Sequence, residues 1–146
     1  MTTRREIVIG GVGTLLWLPT ARATPEAMRA AVAAFTGGAA LRDGRVTLEI
    51  ALLVDNGNTV PVAVRVDSPM TAVDHVQRIA IFNELNPSPE VAVFHLGPRA
   101  GRAAVGTRMR LATSQRVLAV AQMSDGSCWQ QGVDVIVTLA ACIEGG

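Results

Sequence analysis

Short stretches of alternating apolar and polar residues dominate the chain after Phe35. In the clearest of them, residues 60–67, valine occupies every second position, as in a strand with one buried face. Turn-forming sequences separate these stretches, among them Asp55-Asn56-Gly57-Asn58, whose Asn and Gly tolerate positive φ. No later stretch has helical periodicity, so the crossovers of a parallel βαβ architecture are missing. Seven or so short strands therefore predict an antiparallel β-sandwich.

The predicted strands differ in their place in the sandwich. Residues 45–54 and 60–67 flank the turn and are predicted to pair as a hairpin. Pro61 has no backbone N–H, so this part of the second strand is expected at an edge or outside the ladder. Residues 115–123 are apolar on both faces, which is typical of a central strand. Further strands are predicted at residues 73–82, 91–96, 103–111 and 133–139.

One short helix is predicted ahead of the strands. Thr24-Pro25-Glu26 begins an alanine-rich stretch that runs to Phe35, and proline suits the first helical turn. Gly37-Gly38 then provides a stop. Apolar residues recur at helical spacing, so one helix face can lie against the sandwich. This face consists of Met28, Ala31, Val32 and Phe35.

Composition limits how the core is built and excludes one class of partner. The 146 residues suffice for one domain, and with 3% aromatic residues and no tyrosine the core must consist largely of Val, Ala, Leu and Ile. Every basic residue is arginine, and the formal net charge is +1. This charge gives no electrostatic footprint for nucleic acid, which is therefore not an expected partner.

The amino terminus has the organisation of an export signal. Arg4 and Arg5 precede an apolar run over residues 7–18, and Ala21 and Ala23 occupy the two positions that a signal peptidase reads. The run is too short to span a bilayer comfortably, so no membrane attachment is expected. The paired arginines predict a twin-arginine signal over residues 1–23 and a periplasmic protein. Cleavage reduces 13 basic and 12 acidic residues to 10 and 11, which leaves the mature chain nearly neutral.

No constellation of residues predicts catalysis. His75 and His95 are the only histidines, and neither has Cys, Asp or Glu at the spacing of a zinc motif. Acidic residues are scattered singly, no Ser/His/Asp grouping is apparent, and no glycine-rich phosphate loop opens a helix. We therefore expect no bound metal or cofactor and a protein that is not an enzyme.

Cys142 is the one candidate for chemistry. It lies beyond the helix and sandwich of residues 24–139, in a tail that spans at most roughly 23 Å when extended. Small neighbours keep the tail narrow, so we predict a flexible arm, residues 140–146, that presents Cys142 as an attachment point in a cleft on another protein. The arm consists of Ala140, Ala141, Cys142, Ile143, Glu144, Gly145 and Gly146.

Two other interpretations of Cys142 remain open. The segment is equally typical of a frayed terminus with an incidental cysteine. Outside the cytoplasm, Cys142 is also a candidate for a disulfide with Cys128. An exposed thiol with a pKa of about 8.5 is only about 3% ionised at neutral pH. Glu144 opposes ionisation further, so a partner would have to activate the thiol.

Several sequence blocks, in the same order, resemble the SoxY family of thiosulfate-oxidation carrier proteins. They are NGNTVPV at residues 56–62, DSPMT at 67–71, IFNELNP at 81–87, PEVA at 89–92 and VAQMSDGS at 120–127. The terminal cysteine belongs to the same pattern, so the resemblance runs from about residue 27 to Cys142.

The resemblance implies a periplasmic, immunoglobulin-like carrier that holds thiosulfate-derived intermediates covalently on Cys142. It also implies a heterodimer, or a higher oligomer, with a SoxZ-like small β-sandwich subunit that has no export signal of its own. A haem-containing enzyme would load the thiol. A sulfate-releasing hydrolase and a sulfur dehydrogenase of the same pathway would then process the bound sulfur.

The arm departs from the family pattern, in which two glycines stand on each side of the cysteine. Ala140 and Ala141 replace the first pair and make the arm stiffer, and Ile143 adds bulk that a narrow cleft would not favour. Cys128 stands where the family usually has an aromatic residue. The alternative function is therefore a divergent exported partner-binding or structural sandwich with an unused or disulfide-paired cysteine.

Overall fold

Residue 13 and residues 23–139 are described by the computed structural model, in which two β-sheets pack face to face with one helix outside. This architecture confirms the predicted mainly β sandwich. The helix α1 covers Pro25–Thr36, and a single 3-10 turn covers Pro98–Ala100. The strands are β1 Leu41–Asp43, β2 Val46–Ile50, β3 Leu53–Val54, β4 Val60–Val66, β5 Val76–Asn83, β6 Glu90–His95, β7 Ala103–Met109, β8 Gln115–Met123 and β9 Cys128–Val137.

The two sheets differ in size and in pairing. The larger has the order β1-β9-β8-β5-β6, with β3 also paired to β9, and the smaller has the order β2-β4-β7. The pairs are antiparallel except that β1 and β3 both run parallel to β9. The parallel pairing at this edge differs from the antiparallel pairing predicted. β9 lies beside β1 and β3 only after the chain has passed through all the other strands, so the intervening chain makes the connection and no crossover helix is needed.

The strand predicted at residues 45–54 is interrupted. Its first part, β2, forms the predicted hairpin with β4 in the smaller sheet. After Ile50 the chain crosses over, and Leu53–Val54 joins β9 in the larger sheet. A turn also separates β1 from β2, where Gly44 (φ 114°) and Arg45 (φ 58°) take positive φ. One apolar stretch therefore contributes to both sheets, which its sequence pattern alone does not indicate.

Pro61 lies in β4, the central strand of the smaller sheet. The pairing of β4 with β2 ends at Val62, opposite Ile50, so Pro61 has a partner only in β7, where it lies opposite Arg108. The expectation that Pro61 falls outside a ladder is therefore confirmed on one side of the strand. The expectation of an edge at this part of the strand is confirmed as well, because β4 has partners on both sides only from Val62 to Val66.

The main core lies between the sheets. The alternating valines of β4 all point into it, and each is at most 6% exposed. In β8, Val117 and Ala119 face this core while Leu118 and Val120 face the helix, so the strand is buried on both sides. The predicted central position of β8 is confirmed by its place between β9 and β5.

The helix closes a second, smaller core on the outside of the larger sheet. Thr24 caps its start, with Oγ1 accepting a hydrogen bond from Ala27 N at 3.1 Å, and Gly37 ends it with φ 64°. Met28, Val32 and Phe35 pack on the sheet as predicted. Within the described residues, no helix is both long and apolar enough to cross a membrane.

Candidate functional site

The predicted arm lies outside the residues that the structure describes, and so do Ala140, Ala141, Cys142, Ile143, Glu144, Gly145 and Gly146. The predicted signal segment also lies outside them, apart from Gly13 and Ala23. The described chain ends at Leu139. The candidate site is therefore characterised by the point from which the arm leaves the domain, residues 137–139, called here the arm root.

One side of the arm root is held by β3. Ile136 N donates to Leu52 O at 2.8 Å, and Thr138 N donates to Val54 O at 2.9 Å. The Thr138 side chain adds contacts, with its hydroxyl 3.4 Å from Val54 O and 3.3 Å from Asp55 O. These bonds continue the parallel pairing of β3 with β9 past the end of the strand, so the backbone stays ordered beyond Val137.

The other side of the arm root is held by Ser114 and by the turn between β3 and β4. Val137 N donates to Ser114 Oγ at 2.8 Å. Leu139 O accepts a hydrogen bond from Gly57 N at 3.1 Å, while Gly57 O accepts one from Leu111 N at 2.8 Å. The sequence predicted this turn as a hairpin connection only. Its second role, in fixing the last described residue, was missed.

A fixed arm root limits where Cys142 can act. Cys142 lies three positions beyond Leu139, and a chain advances at most about 3.6 Å per residue. The Cα atom of Cys142 is therefore confined to within about 11 Å of the Leu139 Cα atom. Any group that reacts with this thiol must come close to the arm root itself.

Exposed apolar side chains surround the arm root. Leu52, Leu53, Ile136 and Leu139, called here the collar, are between 59% and 66% exposed, and Leu53 lies directly opposite Ile136 across the β3–β9 pair. They are four of the five exposed large apolar residues in the described part of the chain; the fifth is Val73. The collar was not predicted, because residues 45–54 were expected to form one continuous strand.

Cys128, the other predicted site cysteine, is fully buried under α1. It packs in the helix core, and its Sγ lies 3.8 Å from Gly126 O. Burial raises the pKa of this thiol, an effect that the nearby Arg78 charge partly opposes. The neutral thiol is therefore favoured, and the folded domain shields it from reagents.

The length of β9 counts against the predicted disulfide between Cys128 and Cys142. Cys128 begins this 10-residue strand, which starts five residues earlier than predicted because its first residues pair with β8 and β1. Cys128 and Val137 are thus about 30 Å apart, and the chain from Val137 to Cys142 spans at most about 18 Å. A disulfide needs Cα atoms within about 7 Å.

The two histidines lie apart from the arm root in the fold. His75 precedes β5, with Nδ1 3.0 Å from Thr71 O, and His95 ends the edge strand β6. Among the described residues, no group of three or more His, Cys, Asp or Glu side chains is arranged to hold a metal ion.

Comparison with known proteins points to sulfur oxidation. A family model described as sulfur oxidation protein SoxY matches residues 32–142. The sulfur carrier protein SoxY from Chlorobium limicola f thiosulfatophilum has a similar structure, with a TM-score of 0.65 and 27% identity, over 77% of this chain and 92% of that one. No curated protein sequence matches the chain.

Superoxide reductases share the fold. The neelaredoxin from Ignicoccus hospitalis superposes with a TM-score of 0.57 at 17% identity, over 64% of this chain and 80% of that one. The superoxide reductase from Nanoarchaeum equitans has a TM-score of 0.53 at 12% identity, over 62% and 90% of the two chains. At these identities the likeness concerns the sandwich alone.

Proposed function

The chain belongs to the SoxY family of sulfur oxidation proteins, a family of sulfur carriers, and we propose that it holds sulfur intermediates covalently on Cys142. The family match carries this proposal, because it extends past the described domain and ends at Cys142. The arm root supports it, since a tether fixed at Leu139 offers the thiol to other proteins without unfolding the sandwich. The other cysteine is buried and unsuited to this role.

Loading with thiosulfate is an oxidation. The Cys142 thiol loses its proton, and its sulfur forms a bond to the terminal sulfur of thiosulfate, which releases two electrons. The proposed oxidant is the haem-containing loading enzyme, which accepts these two electrons. Water then splits the bond between the attached sulfur and the sulfonate group, which releases sulfate and a proton and leaves a persulfide on Cys142. The sulfur dehydrogenase acts on that persulfide.

We further propose that this chemistry takes place in the periplasm. Arg4, Arg5 and the Ala21 and Ala23 pair support export, and the capped start of α1 at Thr24 supports a mature chain that begins there. A signal for folded cargo also suits a carrier that leaves the cytoplasm with a partner subunit bound.

Intact mass tests the carrier and export proposals together. Protein isolated from the periplasmic fraction of cells growing on thiosulfate is expected to begin at Thr24 and to carry added sulfur groups that a reductant removes. Protein from cells grown without reduced sulfur serves as the control. A chain without any adduct under both conditions would favour the alternative, an exported partner-binding sandwich with an unused cysteine.

The edge strand β6 supports the proposed heterodimer with a SoxZ-like β-sandwich subunit. Leu96 N donates to Gln77 O opposite it, so by alternation the N–H groups of Val93 and His95 point away from β5. The strand contains no Lys, Arg or Pro to discourage pairing, and its four middle residues are only half-buried. A strand of the partner can therefore extend the larger sheet at this edge.

Replacing Val93 by proline is expected to weaken the heterodimer. The change removes an outward N–H and leaves a partner carbonyl unpaired, which costs about 1–3 kcal/mol of binding free energy, while an edge strand tolerates proline. Val93→Ala, which keeps the N–H, is the matched control. Gel filtration and titration calorimetry with the coexpressed subunit would measure the difference. Equal affinity of both variants would place the interface elsewhere, and a wild-type chain that stays monomeric beside the subunit would contradict the heterodimer itself.

A further inference from the structure

The collar lies where an enzyme that acts on Cys142 must make contact. Cys142 stays within about 11 Å of Leu139, and Leu139 is itself a collar residue. The thiol can enter a catalytic site at the bottom of a cleft only if the mouth of that cleft contacts the arm root. The arm is thus too short to be processed at a distance from the domain.

The surface that such an enzyme would meet is apolar. Leu52, Leu53 and Ile136 flank the arm root with more than half of each side chain exposed. Monomeric proteins seldom place exposed apolar residues together without an interaction to use them. Here four of the five large exposed apolar residues of the described chain gather at one end of β9.

Resting on the carrier function proposed above, we propose that the collar is the docking surface for the rim of the enzyme cleft that receives the arm, and that this rim is apolar. The specificity of an enzyme for this carrier then depends on the domain as well as on the arm. A permanent subunit is a poorer occupant, because it would fill the space within 11 Å of Leu139 that an enzyme needs to reach the thiol. The β6 edge, separated from β9 by β8 and β5, stays free for that subunit.

The interaction is transient, and this suits a small apolar surface. A carrier has to leave each enzyme before it meets the next, so tight binding at the arm root would slow the cycle. A few half-exposed aliphatic side chains provide modest binding without the geometric demands of buried hydrogen bonds. The same collar can then serve several enzymes in turn, provided that each has an apolar rim.

The test compares loading kinetics of collar variants. The double variant Leu53→Ser/Ile136→Thr, in complex with its small subunit, is incubated with thiosulfate and the haem-containing loading enzyme. We expect KM for the carrier to rise by about tenfold or more, because two apolar contacts are lost, while kcat stays unchanged. Val73→Ser is the matched control. Val73 is 89% exposed, and its carbonyl accepts a hydrogen bond from Ser124, which precedes the end of β9 opposite to the collar. Its KM is expected to equal that of the wild type.

Other results would overturn the inference in distinguishable ways. If KM for the double variant equalled that for the wild type, the loading enzyme would recognise the arm alone. Loss of the heterodimer on gel filtration would assign the collar to the small subunit. A rise in the alkylation rate of Cys142 by iodoacetamide would show that the arm itself rests on the collar. Failure of the wild-type chain to accept any sulfur would overturn the carrier function instead, since the comparison between variants presupposes loading.

Discussion

Cys142→Ser is expected to abolish the reductant-sensitive sulfur adduct and to leave the domain intact. A serine hydroxyl cannot form the bond to sulfur on which the proposed carrier depends. The residue lies three positions beyond Leu139, the last residue with a described hydrogen bond to the domain. Substitutions away from packed or bonded features change the free energy of unfolding by about 0.5 kcal/mol or less. Intact mass after incubation with thiosulfate and the loading enzyme would measure the first effect, and thermal unfolding the second.

Cys128→Ala supplies the control for that experiment. It removes the other sulfur, and the adduct is expected to persist, because the Cys128 side chain is fully buried under α1 and burial keeps its thiol protonated. An adduct that survived in Cys142→Ser and vanished in Cys128→Ala would reverse the assignment. Strong destabilisation of Cys142→Ser, by about 2–5 kcal/mol, would instead indicate a structural disulfide.

Phe82→Ala is expected to cause the largest loss of stability, about 3–5 kcal/mol. Phe82 is completely buried on the outer face of β5, and its ring meets that of Phe35 edge to face, with centroids 5.9 Å apart. Truncation leaves a cavity where α1 packs on the sheet. Phe35 also contacts Arg78, which donates to Phe35 O at 2.9 Å and lies 4.3 Å from the centroid of the Phe35 ring. Loss of the Phe82 ring removes packing that holds Phe35 in this position.

Urea unfolding would measure this loss. The midpoint is expected to fall with little change in slope, since the same surface is exposed on unfolding. Val73→Ala, at an exposed position, is the control and is expected to stay within about 0.5 kcal/mol of the wild type. A loss below 1 kcal/mol for Phe82→Ala would contradict the close packing of α1 on the sheet.

Local features of the fold were predictable because neighbouring residues determine them. Thr24, Pro25 and Gly37 mark the ends of α1, and the period-two valines of β4 mark a strand with one buried face. The arm root was not predictable in the same way. Thr138 meets Val54 across 84 residues of sequence, and nothing near either residue indicates the pairing. The collar depends on that same contact, so it also became visible only in the fold.

The residue blocks that resemble SoxY anticipated the family correctly, but they do not explain the arm. Ala140, Ala141 and Ile143 differ from the family pattern, and their structural consequences concern residues that the structure does not describe. What the fold adds is the position of Leu139, and with it the largest distance, about 11 Å, at which Cys142 can lie from that residue. That distance turns a general expectation of a tethered thiol into a testable statement about which surface an enzyme must touch.

Strand β9 also determines how the protein responds to force. A force applied to Leu139 along the axis of β9 acts perpendicular to the hydrogen bonds between β9 and β8. The eight residue pairs from Gln115 and Val135 to Gln122 and Cys128 are then loaded together in shear and cannot open one at a time. Bonds to β3 and Ser114 share the load at the arm root. Separation of β9 by such a force therefore requires these pairs to break together rather than one after another from Leu139 inward.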